Sequence, residues 1–448
     1  MSKIYELPLS FRLVKKYIRF TFKRFYGDFI VHGKENIPTE GQVIFAPNHL
    51  NALMDALAIH SVSPDNYATV FLARSDIFRK KTLARILRAC KIMPAFRIRD
   101  GIENLGKNNE VFDKCVEVLE SKNAMGIMPE GNQELERKIR PLVKGIFRVA
   151  FSAQQKIGTS GNVKIVPIGI DMGDLFKFGK HIIINIGKPI VVSEYMPKYA
   201  ENQPATTNEI RNDLSTALGN LVVNLNTDKY YPAFEVSTQL CNTAMLESLQ
   251  LKKSTINLFY ARQEIGRKLV GIEQTHPELA QKLDTLCADF EHLRKKLNLH
   301  INNFEQRSVH SASTVLKAVG LLLSSPVFLL GFALNFLPFF TPVLVRKKLK
   351  VKFEGFFTSI HYVAGILCFP VSYLLQAILF FSISGLSWWL FLLFIPLQYL
   401  SGKWAYSLYK HYKKTKGEIN HSIIKTNKEN DYKHLLQLRS AIIDIVMK

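Results

Sequence analysis

"QVIFAPNHLNALMDALAIHSV", Gln42 to Val62, is the stretch that decides the fold. "QVIFAPN" is short and rich in β-branched and large apolar residues, which reads as a buried strand, and "DALAIHSV" reads as the helix that follows it. Two ionisable residues, His49 and Asp55, stand in this apolar setting with five residues between them. A continuous helix would not put both on one face, so the pair must straddle the turn from strand to helix. The turn is either a polar loop that happens to hold a histidine, or a general base with the carboxylate that orients it.

The same alternation runs from about residue 28 to 195. "DFIVHG", "ATVFLAR", "KIMPAF", "AMGIMPE", "VKIVPIGI" and "HIIINIG" read as further strands, and "FRKKTLARILRAC", "NNEVFDKCVEVLESK" and "LVKGIFRVAFSAQQKIG" as helices between them. The fold class is therefore α/β, a mostly parallel sheet with flanking helices over residues 28–200. In such sheets sites form where strands end and helices begin. His49, Glu130 and Pro167 all fall at such ends. Residues 201–313 read as a helical region of mixed charge.

A net charge of +22 asks for an anionic partner, nucleic acid or an anionic membrane surface. Two uncharged runs choose the membrane: Ala318 to Val345, and Gly355 to Gly402, the second more than twice the ~20 residues that one crossing needs. Much of the excess charge flanks these runs, in "RKKLKVK" (Arg346–Lys352) and "KHYKKTK" (Lys410–Lys416), so no nucleic acid is expected. Positive flanks stay cytoplasmic. The second run then reads as a two-span hairpin broken at "SISG" (Ser382–Gly385), and the first, with Pro326, Pro338 and Pro342 breaking its helix, as a re-entrant or in-plane element within a membrane region of residues 314–416. Residues 417–448 read as a polar cytoplasmic tail. Residues 1–27 read as a basic amphipathic interfacial helix, with Phe11, Val14, Ile18, Phe22 and Phe25 on one face and Arg12, Lys15, Lys16, Arg19 and Lys23 on the other. The start lacks the pattern of a secretory signal, and five scattered cysteines fit a reducing compartment. The expected location is the inner membrane, catalytic domain in the cytoplasm.

Four blocks decide the question left at the opening: "NHLNALMD" (Asn48–Asp55), "KIMPAFRIRDG" (Lys91–Gly101), "MPEGNQ" (Met128–Gln133) and "IVPIGI" (Ile165–Ile170). In this order they resemble the glycerolipid acyltransferase family, the lysophosphatidate and glycerol-3-phosphate acyltransferases. The resemblance implies a membrane-bound O-acyltransferase with acyl-CoA or acyl-carrier protein as donor and a lysophospholipid acceptor. His49 would be the base and Asp55 its orienter; Asn48, Arg97, Arg99, Glu130, Gly131 and Lys144 would hold substrate. Such chemistry needs a histidine to take the hydroxyl proton, and no metal or cofactor is called for. Two departures stand out. The family usually places four residues between histidine and aspartate, and some of its eukaryotic glycerol-3-phosphate enzymes resemble the five found here. An arginine usually follows the Pro-Glu-Gly block by two residues, where this chain has Gln133, so that Arg137, Lys138, Arg140 or Lys144 would have to supply the cation. A membrane scaffold that kept the fold without turnover is the reading from another class.

Overall fold

The structure, a computed structural model, describes residues 3–95, 105–301 and 311–448. The chain divides into two compact units, one of Met1–Asn224 with Phe353–Ser359, the other of Leu225–Lys352 with Ile360–Lys448.

The first unit carries helices α1 (Leu9–Phe25), α2 (Ala52–Val62), α3 (Lys81–Ala89), α4 (Leu105–Glu120), α5 (Gly145–Ile157), α6 (Met196–Glu201) and α7 (Gln203–Leu221). Its strands are β1 (Phe29–His32), β2 (Gln42–Pro47), β3 (Val70–Arg74), β4 (Ile92–Ala95), β5 (Ala124–Gly126), β6 (Val163–Met172), β7 (Ile182–Ile186) and β8 (Ile190–Val191). They form one sheet in the order β1-β7-β6-β2-β5-β3-β4, with β8 beside β6. β2 pairs in parallel with β6 and β5, β3 with β5 and β4, and β1 with β7. Only β7 and β8 run antiparallel to β6 among the described pairs. All six residues of β2 and all five of β7 are buried, as strands covered on both sides must be. Phe147, Val149, Ala150 and Phe151 of α5 close over Ile44, Met125 and Ile165 of the sheet. The sheet is thus α/β and mostly parallel, as the alternation implies, and β2, β6, β5, β3 and β4 all end on one edge.

α1 differs from its expected arrangement. Phe11 and Phe22, which the sequence pattern assigns to a lipid-facing side, are buried in the protein, while Leu9, Leu13, Val14, Tyr17 and Phe20 are the exposed apolar residues. Lys15, expected on a solvated face, is buried and donates to the carbonyls of Pro64 (2.7 Å) and Tyr67 (2.9 Å). Arg19 donates to the carbonyls of His60 (3.0 Å) and Ser63 and pairs with Asp65. These cations sit where α2 ends, at the pole that collects carbonyls without helical partners. Burial pulls the Lys15 ammonium down to about 8, with Arg19 adding to it. Burial, then Lys15 and Arg19, push the His60 imidazole down to about 3, so it is neutral at physiological pH.

The second unit is helical: α8 (Tyr231–Leu240), α9 (Asn242–Ser248), α10 (Thr255–Thr275), α11 (Pro277–Lys296), α12 (Ser311–Leu323), α13 (Ser325–Lys348), α14 (Phe357–Ser384, its first turn grouped with the first unit), α15 (Phe391–Asn427) and α16 (Glu429–Met447). α16 corrects the expected polar tail. Leu435, Leu438, Ile442 and Val446 are buried, Asp431 pairs with Lys296 of α11 (3.3 Å), and α10's Lys268 donates to the carbonyl of Met447 (3.2 Å).

The first apolar run breaks just before Pro326, between α12 and α13, but α13 continues as one helix through Pro338 and Pro342, where the sequence reading expects breaks. The 24 residues of α13 span ~36 Å, enough to cross a bilayer core of ~30 Å. α13 and α14 are both long and apolar enough to cross a membrane. A proline inside a helix has no N–H for the carbonyl four residues back, so Pro338 leaves the Leu334 carbonyl without its helical donor. α14 supplies one: Gln376 Nε2 donates to that carbonyl at 3.0 Å, and its Oε1 accepts from Gln398 Nε2 of α15 at 2.8 Å. Asn335 completes the link, accepting from Tyr373 OH (2.6 Å) and donating to the Gln398 carbonyl (3.3 Å). Gly331 permits the close approach, since a Cβ there would lie 2.4 Å from the Ser401 carbonyl oxygen. Gln376→Leu should lower the stability of the full chain in detergent by about 1–2 kcal/mol, because it orphans both partners; an unchanged thermal midpoint would show that the network does not hold the helices.

Candidate active site at the carboxyl edge of the sheet

β2 ends at Pro47, and the chain crosses to α2 through a turn that must present His49 without unravelling the helix start. Asn48, buried, ties this turn to β6. Its Nδ2 donates to the Ile170 carbonyl (3.1 Å) and its Oδ1 accepts from the Ile170 N–H (2.7 Å). Both ends of its amide bond backbone, so Asn48 positions the turn.

His49 and Asp55 meet across the turn, Nδ1 to Oδ2 at 2.9 Å. Asp55 lies in the first turn of α2, is fully buried, and takes the Asn51 N–H on the same oxygen at 2.7 Å. An acidic side chain here satisfies one of the donors that a helix N-terminus leaves bare. The five-residue interval is absorbed by the backbone: Ala52, the first residue of α2, has φ 41°, a left-handed conformation unusual for a residue other than glycine. The His49 ring remains 17% exposed, and its Nε2 has no partner among the described residues, so one nitrogen is held and the other is open.

Glu130, expected to hold substrate, bonds the protein through both carboxylate oxygens. Oε1 accepts the His49 backbone N–H at 2.8 Å, and Oε2 accepts Nε of Arg140 at 2.9 Å and its backbone N–H at 3.3 Å. The Glu134 N–H reaches back to the His49 carbonyl at 3.4 Å. The peptide of His49 is therefore gripped from both sides by one strap, residues 130–140. Burial raises the Glu130 carboxyl above its ordinary value, with Arg140 and the His49 N–H opposing that rise. Gly131 makes the strap's turn with φ 69°, a conformation that favours glycine, and Val143 packs where a Cβ would stand.

The cations offered as replacements for the missing arginine are placed unequally. Arg140 is bound to Glu130 and Glu134. Arg137 donates to the Met172 carbonyl (2.8 Å) and pairs with buried Asp171 (3.3 Å), which also contacts His181 (3.3 Å). Lys144, at the N-cap of α5, is exposed. Arg97 and Arg99 lie outside the described residues. Asn51 is a site residue that the sequence did not single out: it is buried and its Nδ2 donates to the Leu175 carbonyl at 2.9 Å. Nothing in local sequence marks it, since Leu175 is brought in only by the fold.

A histidine with one ring nitrogen bonded to a carboxylate and the other open has the arrangement that general-base chemistry uses. Residues 28–171 match the Acyltransferase family model, so this part of the chain is an acyltransferase-family domain. Over 242 residues, 49% of the chain, it is 25% identical to glycerol-3-phosphate O-acyltransferase 1 of Saccharomyces cerevisiae, and over 184 residues, 41% of the chain, 28% identical to the 1-acyl-sn-glycerol-3-phosphate acyltransferase of Borreliella burgdorferi. It spans 31% of the length of the yeast relative and 67% of the bacterial one. Among solved structures, the 1-acyl-sn-glycerophosphate acyltransferase PlsC from Thermotoga maritima is similar over 47% of this chain and 81% of its own, at 18% identity and a TM-score of 0.34.

Glu130→Ala should lower kcat by about 10²-fold with little change in KM for the donor, since the His49 peptide loses its anchor. Glu130→Gln, which keeps an acceptor for that N–H, should lose less. Full kcat in the alanine variant would show that the strap does not position the base.

Proposed function

We propose that the protein transfers a fatty acyl group from acyl-CoA or acyl-carrier protein to 1-acyl-sn-glycerol-3-phosphate, giving phosphatidate for phospholipid synthesis. The observation that carries this reading is the His49–Asp55 pair, bonded at 2.9 Å with Nε2 left open at the sheet edge. In the proposed step His49 Nε2 takes the acceptor's hydroxyl proton as that oxygen attacks the thioester carbonyl. The tetrahedral intermediate collapses, the C–S bond breaks, and the imidazolium returns its proton to the departing thiolate. Asp55 holds the Nδ1–H tautomer and stabilises the imidazolium. No covalent acyl-enzyme is required.

The membrane attachment suits an amphiphilic acceptor. In this reading α13 and α14 lie in the inner membrane, the exposed Leu9, Leu13, Tyr17 and Phe20 of α1 rest on its anionic surface, and the catalytic unit is cytoplasmic. A second reading keeps the mechanism and changes the acceptor to glycerol-3-phosphate. The five-residue interval and the likeness to the yeast glycerol-3-phosphate enzyme favour it.

The test is acyl transfer by the full chain in detergent, offered labelled acyl-CoA or acyl-carrier protein with lysophosphatidate, glycerol-3-phosphate or an uncharged lysolipid. Phosphatidate formed from lysophosphatidate, and a rate about 10²–10⁴-fold lower in His49→Ala and Asp55→Asn, are the expected results. Turnover with glycerol-3-phosphate alone would move the acceptor. Transfer to no acceptor by folded protein would reject the enzyme reading in favour of a membrane scaffold.

A further inference from the structure

One surface of the first unit has no role in the chemistry above. From Ile77 to Cys90 the sequence holds five cations and no carboxylate. All five, Arg79, Lys80, Lys81, Arg85 and Arg88, are exposed on α3 and the segment leading into it, and none has an ion-pair partner among the described residues. Asp76, just before them, is engaged by Arg74. Lys81, Arg85 and Arg88 follow the four-and-three spacing of one helical face, a row of positive charge ~10 Å long.

The row also breaks a local rule. Cations are disfavoured at a helix N-terminus, which is itself positive, yet α3 starts on Lys80 and Lys81 with no acid in its first turn and no side-chain cap. That positive pole lies on the functional edge. β3 and β4, which flank α3 in the chain, run parallel to β5 and through it to β2, so the end of β3 at Arg74 and the His49 turn share one rim of the sheet.

We propose that this face docks a protein donor through an acidic helix, the acyl-carrier protein of the reading above, on which this inference rests. A linear row of guanidinium and ammonium groups matches carboxylates spaced along a partner helix, and charge matching of this kind sets on-rate and partner choice. A lipid surface is the poorer fit. An interfacial helix needs a broad apolar face, and α1 exposes Leu9, Leu13, Val14, Tyr17 and Phe20, whereas among the described side chains of α3 Ile86 is the one exposed large apolar residue. Coenzyme A is a compact polyphosphate and would leave most of the row unused.

The double variant Arg85→Glu/Arg88→Glu of the full chain tests this, because neither residue touches the catalytic turn. Binding of fluorescent holo-acyl-carrier protein, read by anisotropy and independent of turnover, should weaken by at least about tenfold, and wild-type binding should fall as salt rises. KM for acyl-carrier protein should rise with it, while KM for acyl-CoA and flotation on phosphatidylcholine–phosphatidylglycerol vesicles stay unchanged. Carrier binding as tight in the variant as in the wild type would overturn the proposal, as would no carrier binding by the wild type. Equal rises in KM for both donors, or lost vesicle binding with carrier binding intact, would assign the face to coenzyme A or to lipid and overturn it too. Carrier binding lost in the variant of a protein that transfers no acyl group would uphold the docking face and fault the catalytic reading.

Discussion

One buried carboxylate sets the geometry of the His49 turn. Glu130 takes the main-chain N–H of His49 on one oxygen and Arg140 on the other, so the end of β5 and the strap after it fix the height at which the histidine leaves β2. A surface ion pair would contribute little, but here the glutamate is buried and the arginine nearly so, and removal of one partner strands the other. Asp55 then needs only to orient a ring whose backbone is already held. The strain at Ala52 is tolerable for the same reason, since bonds on both sides over-determine the turn.

The division of labour among acidic residues follows from depth. Asp55 is fully buried at the start of α2 and bonds the His49 ring, Glu130 bonds the peptide that carries it, and Asp171 holds Arg137 against the end of β6. The cations of the strap are therefore largely matched by acids of the same unit. Unmatched positive charge gathers instead on α3, at the rim where substrates would arrive.

The strands were legible because each is a short β-branched or apolar run bounded by turn residues, and the His49–Asp55 contact because a helix cannot bring that spacing onto one face. What the sequence concealed is non-local. The bonds of Glu130 to Arg140 and the His49 N–H join residues that local sequence does not connect. Lys15 and Arg19 read as a solvated face until α1 is seen to cap the end of α2. Pro338 and Pro342 read as helix breakers because the donor that answers the freed Leu334 carbonyl sits on another helix, forty-two positions on, at Gln376. The apolar residues of α16 are diluted by charge, and only packing shows them buried.

For His49 to act as the base, its proton must sit on Nδ1, against Asp55, and leave Nε2 bare. Nitrogen-15 NMR of the full chain in detergent, with histidine labelled and His49 assigned through His49→Gln, reads that state at neutral pH. A proton on Nδ1 and a bare Nε2, changed by Asp55→Asn, is the expected result. A proton on Nε2, or a His49 signal indifferent to Asp55→Asn, would contradict it.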